Sequence, residues 1–233
     1  PQAYDNAKDF FDTGITWSNS LNVAQMLEKS SYSISLGNTH QDGIISSTGM
    51  DRYNVKVSAD TKLTNNWSSG FTANYITTSI DKAVTSGNGL LRTVYAAPPS
   101  YDLAGIPSHV DGNPYTQNSF RGSFDNAYWA MDNNKFTEDT NRFFGNVYAS
   151  YQTDFGTTNH KLNAKYMVGV DAYTTHYVDS YGYGSNTGGG RGQIENYGWT
   201  NATYNSLLTI NYDWRINEDW GLNAVLGNEI IQS

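Results

Sequence analysis

The feature that most constrains this chain is a strict two-residue alternation between Arg52 and Leu63. Successive side chains of a β-strand point to opposite faces, so the alternation predicts a strand with one apolar and one polar face. After the turn Thr64-Asn65-Asn66 the pattern resumes from Trp67 to Tyr75, which predicts an antiparallel hairpin. The apolar positions of the first strand are Tyr53, Val55, Val57, Ala59, Thr61 and Leu63, and its polar positions are Arg52, Asn54, Lys56, Ser58, Asp60 and Lys62.

The polar face of this hairpin is charged, whereas its apolar face ends in aromatic residues. An apolar band edged by aromatic side chains and backed by charged ones is typical of the wall of a membrane β-barrel that encloses an aqueous lumen. The composition agrees, because only 38% of the 233 residues are hydrophobic although 14% are aromatic. A barrel needs an apolar residue at only every second strand position, so it tolerates such a polar sequence.

Simple counts exclude several classes of protein. No run reaches the roughly 18 apolar residues of a membrane-spanning helix, which argues against a helical membrane protein. A net charge of −8 makes nucleic acid an unsuitable partner, because phosphate binding needs a basic surface. The chain has no cysteine, which removes disulfides, zinc-thiolate sites and thiol catalysis.

The alternation recurs along the chain and predicts about eight strands. Their connections alternate between short turns and longer segments, and outer-membrane barrels place short turns on the periplasmic side and long loops outside. Two short turns are followed by tryptophan, Trp67 and Trp220, which we expect at one level in a periplasmic aromatic girdle. The predicted strands cover residues 14–23, 31–40, 52–63, 67–75, 142–152, 161–172, 204–215 and 220–226.

The same alternation assigns side chains to the two sides of the predicted wall. Apolar positions are expected to face lipid and polar positions the lumen. The lipid-facing set includes Tyr53, Val55, Val57, Val147, Val168 and Val170. The lumen-facing set comprises Lys56, Asp60, Asn74, Lys165 and Asp171.

Residues 81–140 interrupt the strand pattern and are predicted to form a long, folded extracellular loop. Proline and glycine recur through the segment, as in loops, but it is too aromatic for a disordered tail. Because sugar rings and peptide side chains stack on aromatic faces, its aromatic residues are candidate contacts for a substrate or a partner protein. Alternatively, Tyr128 and Trp129 pack the loop onto itself. The candidates are Tyr95, Tyr101, Tyr115, Phe120, Tyr128 and Trp129.

Four separated motifs stand out in the first two thirds of the chain. They are F-F-D-T-G-I-T-W-S-N-S-L-N-V from Phe10, L-E-K-S-S-Y-S-I-S-L-G-N-T-H-Q-D-G-I-I from Leu27, L-L-R-T-V-Y-A-A-P-P-S-Y-D-L from Leu90, and A-Y-W-A-M-D-N-N-K-F-T-E-D-T-N-R-F-F-G-N-V from Ala127. Together they resemble the SusC/RagA family of TonB-dependent outer-membrane transporters. The resemblance covers most of residues 5 to 155, and the motifs occur in the same order as in the family.

This resemblance implies a barrel of about 22 strands in the bacterial outer membrane, energised through the TonB complex and covered outside by a SusD-like lipoprotein. Such transporters import oligosaccharides or oligopeptides. Residues 1–233 would be part of one barrel domain, about eight strands of it. Neither the plug nor the TonB box of the family is recognisable in this sequence, so we expect the chain to be a piece of a longer protein.

No catalytic group, cofactor site or established metal site is predicted, and no enzyme is indicated. Asp132-Asn133-Asn134 with Glu138 and Asp139 loosely suggests a calcium-binding loop, but Thr137 stands where such a loop has glycine. Two other architectures are alternatives. One is a soluble, secreted β-sandwich that binds carbohydrate or acts as an adhesin, although sandwich strands usually have about five or six residues. The other is a complete small barrel of about eight strands.

Overall fold

The computed structural model describes residues 2–84, 89–157 and 159–233, and its main element is one antiparallel sheet of eight strands. Each of these strands pairs with the next along the chain, and a two-stranded ribbon is inserted after the fourth. The strands are β1 Thr16–Met26, β2 Ser30–Asp42, β3 Gly49–Lys62, β4 Trp67–Lys82, the ribbon β5 His109–Val110 and β6 Asn113–Gln117, β7 Lys135–Thr153, β8 His160–Tyr183, β9 Arg191–Arg215 and β10 Gly221–Gln232. The helices are α1 Asn6–Phe10, α2 Leu90–Ala96 and α3 Ala127–Asn133, with a 3-10 turn at Thr187–Gly190.

The pairing register sorts the side chains onto two faces, as the alternation predicts. Lys56 lies opposite Asn74, and Phe144 lies between Asn74 and Asp171 in the same row. We call the face that carries these residues the inner face. On the other side, the outer face, Val57 lies opposite Ala73 and the row continues to Val170 through Gly145. Which medium each face contacts stays a prediction.

The sheet is open, and nothing covers its apolar face in the part of the chain that the structure describes. Its order begins with β1 and ends with β10, which do not pair with each other, so a complete eight-stranded barrel is not formed. The other sheet is the short ribbon of β5 and β6, so the two packed sheets of a sandwich are absent from the described residues. On the outer face, Tyr53 and Val147 are both 53% exposed.

Several strands continue farther than the sequence pattern predicts, most of all β4, β7, β8 and β9. β4 extends to Lys82 and β7 begins at Lys135, so the connection predicted over 81–140 covers 83–134 instead. Residues 76–82 and 135–141 are mostly polar on both faces, which removes the alternation while the backbone pairing persists. In the same way, β8 reaches Tyr183 and β9 begins at Arg191.

The buried apolar core lies at one end of the sheet. It is built by α1, α2, α3 and residues 97–126, which we call the helical cap, together with Ile45 from the connection between β2 and β3. Asn6 of α1 accepts a hydrogen bond from the Leu103 amide at 3.0 Å, which fixes the N-terminal helix to a segment far away in the sequence. No helix of the described residues is long and apolar enough to cross a bilayer. The core comprises Phe10, Ile45, Leu90, Val94, Leu103, Ala127, Trp129 and Ala130.

The opposite end of the sheet, the turn end, carries two turns of the same construction. The Trp67 carbonyl accepts the Leu63 and Thr64 amides, and the Trp220 carbonyl accepts those of Ile216 and Asn217. In each turn a side-chain oxygen, from Thr64 or Asn217, also accepts the tryptophan amide. The two turns, each a polar sequence followed by tryptophan, therefore have the same hydrogen-bonded structure.

Candidate functional site

The inner face carries a connected set of polar side chains. The Arg142 guanidinium donates from Nε to Asp171 Oδ1 at 2.8 Å and from Nη2 to Oδ2 at 2.5 Å. Toward the turn end, the Tyr148 hydroxyl donates to Asp60 Oδ1 at 2.5 Å. The Lys165 ammonium lies 4.2 Å from the centre of the Tyr148 ring. Three of the predicted lumen-facing residues are therefore held in ion-pair, hydrogen-bond or cation–π contacts.

The other two predicted lumen-facing residues share one cross-strand pair. Lys56 of β3 lies directly opposite Asn74 of β4. The Asn74 side chain donates to the Phe144 carbonyl at 3.3 Å, whereas Lys56 is exposed. All five residues thus share the inner face, but they span several rows and do not converge on one pocket. They form a polar lining rather than a reactive centre.

The aromatic candidates of the cap differ widely in accessibility. Tyr95 is 68% exposed and Tyr115 57% exposed, so both can meet a ligand or a protein partner. Tyr101 and Phe120 are half-buried and pack on each other with ring centres 5.7 Å apart. A role in binding remains a prediction for these residues.

The prediction of ligand contact is wrong for Trp129 in this structure, because its side chain is fully buried at 0% exposure. Its Nε1 donates to the Pro114 carbonyl at 2.9 Å, and the ring belongs to the core of the cap. Tyr128 is half-buried and packs edge-on against Phe10 at 5.3 Å. The alternative interpretation, in which these two residues pack the loop onto itself, describes their positions.

Burial also changes the proton affinity of two tyrosines of the cap. Desolvation raises the pKa of the Tyr128 hydroxyl above its usual value, and the nearby carboxylates of Asp9, Asp12 and Asp102 raise it further. Desolvation alone raises the pKa of Tyr101. Both hydroxyls therefore keep their protons to a higher pH than an exposed tyrosine does.

Asp125 ties the cap to the connection between β8 and β9, and sequence patterns gave no sign of it. Its carboxylate is 4% exposed. It accepts hydrogen bonds from Gln117 Nε2 at 2.7 Å and Ser185 Oγ at 2.6 Å, and from the Asn186 amide and side chain at 2.8 and 2.7 Å. Three of these four donors belong to residues 185–186, so this carboxylate joins two long connections.

The calcium-binding loop suggested by the sequence is not formed. Asp132 belongs to α3, and β7 begins at Lys135, so Glu138 and Asp139 lie in a strand. Glu138 pairs with Lys82 at 3.3 Å, and Asp139 accepts from Ser79 at 2.6 Å. Over residues 2–84, 89–157 and 159–233, no group of three His, Asp or Glu side chains is arranged to hold a metal ion.

Solved structures share this fold, although comparisons of the sequence find no match. No protein-family model matches the sequence, and no curated protein matches it. The structure is similar to a chain of the RagAB peptide importer in the closed-closed state, with a TM-score of 0.80 and 17% identity over 99% of this chain and 26% of that chain. A chain of the RagAB peptide transporter is similar at a TM-score of 0.76, with the same identity and coverage.

The chain therefore spans about a quarter of the length of the chains it matches, since the covered share is 26%. At 17% identity the similarity shows the fold and leaves activity open. Together with the eight-stranded open sheet, it shows that this chain has the fold of a barrel segment of that transporter architecture.

Proposed function

We propose that this chain is part of the barrel wall of an outer-membrane transporter that imports peptides. The observation that carries the proposal is the contrast between the two sheet faces. The outer face exposes an apolar band bordered by aromatic residues, whereas the inner face carries hydrogen-bonded charges. This contrast suits a wall with lipid on one side and water on the other.

The height of the apolar band supports the membrane setting. On β4 it runs from Trp67 at the turn end to Tyr75, and both rings are 46% exposed. Eight residues at about 3.4 Å each, in strands tilted by about 40°, give a band about 21 Å high. This height is close to the apolar belt of about 25 Å of outer-membrane barrels. The turn end then faces the periplasm and the helical cap faces the exterior.

The cargo and the partners are proposed on other grounds. The fold similarity to the RagAB peptide importer favours peptides, and oligosaccharides are the alternative. The motifs of the SusC/RagA family support a SusD-like lipoprotein that covers the cap, and energy supplied through the TonB complex. Both roles need parts of the transporter beyond the described strands.

The proposal is tested on the full-length polypeptide that contains these residues. We expect it to fractionate with the outer membrane, to need detergent for extraction and to co-purify with a surface lipoprotein. Cells should take up labelled oligopeptides only when both the transporter and TonB are present. A polypeptide that is soluble without detergent would contradict the membrane assignment. Uptake of labelled oligosaccharide but not of peptide would contradict the cargo.

A further inference from the structure

Strands β7, β8 and β9 continue beyond the apolar band and form a wall at the cap end. On β8 the outer face becomes mostly polar after Ala172, yet the strand continues to Tyr183. The aromatic residues on the inner face of this extension include Tyr177, Tyr197 and Trp199. Tyr177 and Tyr197 are directly opposite each other in the register.

The three rings form a continuous platform. Tyr177 stacks on Tyr197 with ring centres 5.0 Å apart and planes at 9°, and Trp199 lies 5.2 Å from Tyr177. Tyr197 is 44% exposed and Trp199 is 51% exposed. Tyr197 also lines an open pocket of 510 Å³ together with Lys82, Phe136, Asp179 and Tyr181. Exposed rings that line a cavity are typical of a ligand-binding surface.

The platform already binds a cation from within the chain. The Lys82 ammonium lies 4.4 Å from the centre of the Tyr177 ring. It also pairs with Glu138 at 3.3 Å. Aromatic faces attract ammonium and guanidinium groups through the negative charge density of the ring. Tyr177 and Glu138 thus hold Lys82, and the neighbouring rings of Tyr197 and Trp199 remain accessible.

Two further carboxylates lie near Tyr197 and have no charged partner among the described residues. Asp179 and Glu195 are directly opposite each other on β8 and β9, a position in which like charges repel. Asp179 accepts from the Tyr197 hydroxyl at 3.1 Å, and Glu195 accepts from Gln193 at 2.5 Å. Both donors are neutral, and neither carboxylate takes part in an ion pair among the described residues.

We propose that Tyr197 and Trp199, with Asp179 and Glu195, bind the lysine or arginine side chain of a cargo peptide at the mouth of the barrel. The cation lies against the accessible rings and relieves the repulsion between the two carboxylates. The cation of the ligand thus lies between an aromatic ring and a carboxylate, as Lys82 does between Tyr177 and Glu138. This inference rests on the proposed function, because it needs a peptide cargo that passes the inner face.

The test compares peptide binding by the purified full-length transporter and by its variants. The probes are two fluorescent hexapeptides that differ at a single position, lysine in one and norleucine in the other. We expect the wild-type protein to prefer the lysine peptide. The double substitution Asp179→Asn with Glu195→Gln should weaken lysine-peptide binding by about tenfold, because two charge-assisted contacts become neutral. Binding of the norleucine peptide should not change.

Two further variants distinguish loss of the cation site from effects on the whole protein. Tyr197→Leu should also reduce the preference for lysine, because it removes the ring that faces the cation. Glu218→Gln removes a carboxylate from the turn between β9 and β10, far from the platform, and should leave both peptides unaffected. Each variant must show the same heat-modifiable migration as the wild type, which confirms that the barrel has folded.

The outcomes distinguish this inference from the proposed function. Equal binding of the two peptides by the wild-type protein would overturn the cation site and leave peptide transport intact. A preference for lysine that survives the double substitution would also overturn it. If neither peptide binds but a neutral oligosaccharide does, both the cation site and the peptide cargo are contradicted.

Discussion

The Tyr148 hydroxyl reaches across strand β4 to donate a hydrogen bond to Asp60 Oδ1 at 2.5 Å. The two residues belong to β7 and β3, with Gly70 of β4 between them in the same row. Because Gly70 has no side chain, the Tyr148 ring can lie over β4. The ring then supports the Lys165 ammonium on the inner face. Tyr148 of β7 therefore lies over β4 and contacts residues of both β3 and β8.

Gly70→Ala should break this connection. An added Cβ would lie 2.3 Å from Asp60 Oδ1, 2.7 Å from the Tyr148 ring and 2.8 Å from the Ala59 carbonyl. The ring must then turn away, and we expect a loss of about 1–3 kcal/mol in the free energy of unfolding. Urea unfolding of the full-length protein in detergent measures this change.

Gly227→Ala is the matched control, because it adds a methyl group to the same face. There the nearest atom, the Leu208 carbonyl oxygen, is 3.9 Å away. Equal unfolding midpoints for the two variants would show that the glycine is not needed for the contact.

Tyr148→Phe should keep the ring over β4 and lose only the hydrogen bond, at a cost of about 1 kcal/mol.

Val57→Arg should disrupt assembly of the full-length protein, whereas Lys56→Gln should not. Val57 lies on the outer face, in the row of Ala73 and Val170. A charge near the middle of the lipid-facing band costs about 2–4 kcal/mol. Heat-modifiable migration in gels reports barrel folding, and identical migration of the two variants would contradict the assignment of the faces.

Asp125→Ala should loosen the helical cap without affecting the sheet. The substitution removes the acceptor of four hydrogen bonds and leaves the buried Ser185 hydroxyl without its partner. Losing hydrogen bonds to a charged group costs about 1.5–3 kcal/mol each, although the relaxed loop recovers part of this by contact with water. Hydrogen exchange of residues 113–134 should accelerate by at least about tenfold on that basis.

Asp132→Ala serves as the control for this experiment, because Asp132 is an exposed residue of α3 in the same cap. It should leave the exchange rates unchanged. Equal acceleration in both variants, or acceleration in β7 and β8 as well, would show that Asp125 does not act as a local link.

The cap should lose stability in alkaline solution through Tyr128. Its pKa in the folded protein is raised by burial and by neighbouring carboxylates. A tyrosine with a raised pKa stabilises the fold fully below its unfolded pKa of about 10. This contribution is lost as the pH rises through the folded pKa, because the unfolded chain ionises first.

Tyr128→Phe removes the ionising hydroxyl and should therefore reduce this alkaline loss. Hydrogen exchange of α3, compared between wild type and variant at equal pH, measures the effect from about pH 9 to 11, around the usual tyrosine pKa. Tyr95→Phe, at an exposed position of the cap, controls for the removal of a hydroxyl. A wild type and a Tyr128→Phe variant with the same pH dependence would refute the prediction.

Local sequence determined the parts of the fold that depend on a two-residue repeat. The alternation from Arg52 to Leu63 placed Val57 on one face and Lys56 on the other, because side-chain direction in a strand is set by the strand itself. The turns before Trp67 and Trp220 followed in the same way from a few adjacent residues. The order of the eight strands in the sheet was accessible too, since each strand pairs with its chain neighbour.

Only the tertiary structure decided what happens beyond the apolar band. Where both faces are mostly polar, as along Thr77 to Asp81, no alternation marks the strand, and backbone pairing with β7 continues it. The cap depends on contacts such as Asn6 with Leu103 and Asp125 with Asn186, which join residues 97 and 61 positions apart. The burial of Trp129 also depends on the tertiary structure, because it is set by all the segments that pack around the side chain. A periodic pattern records the direction of each side chain, whereas these contacts exist only once distant segments meet.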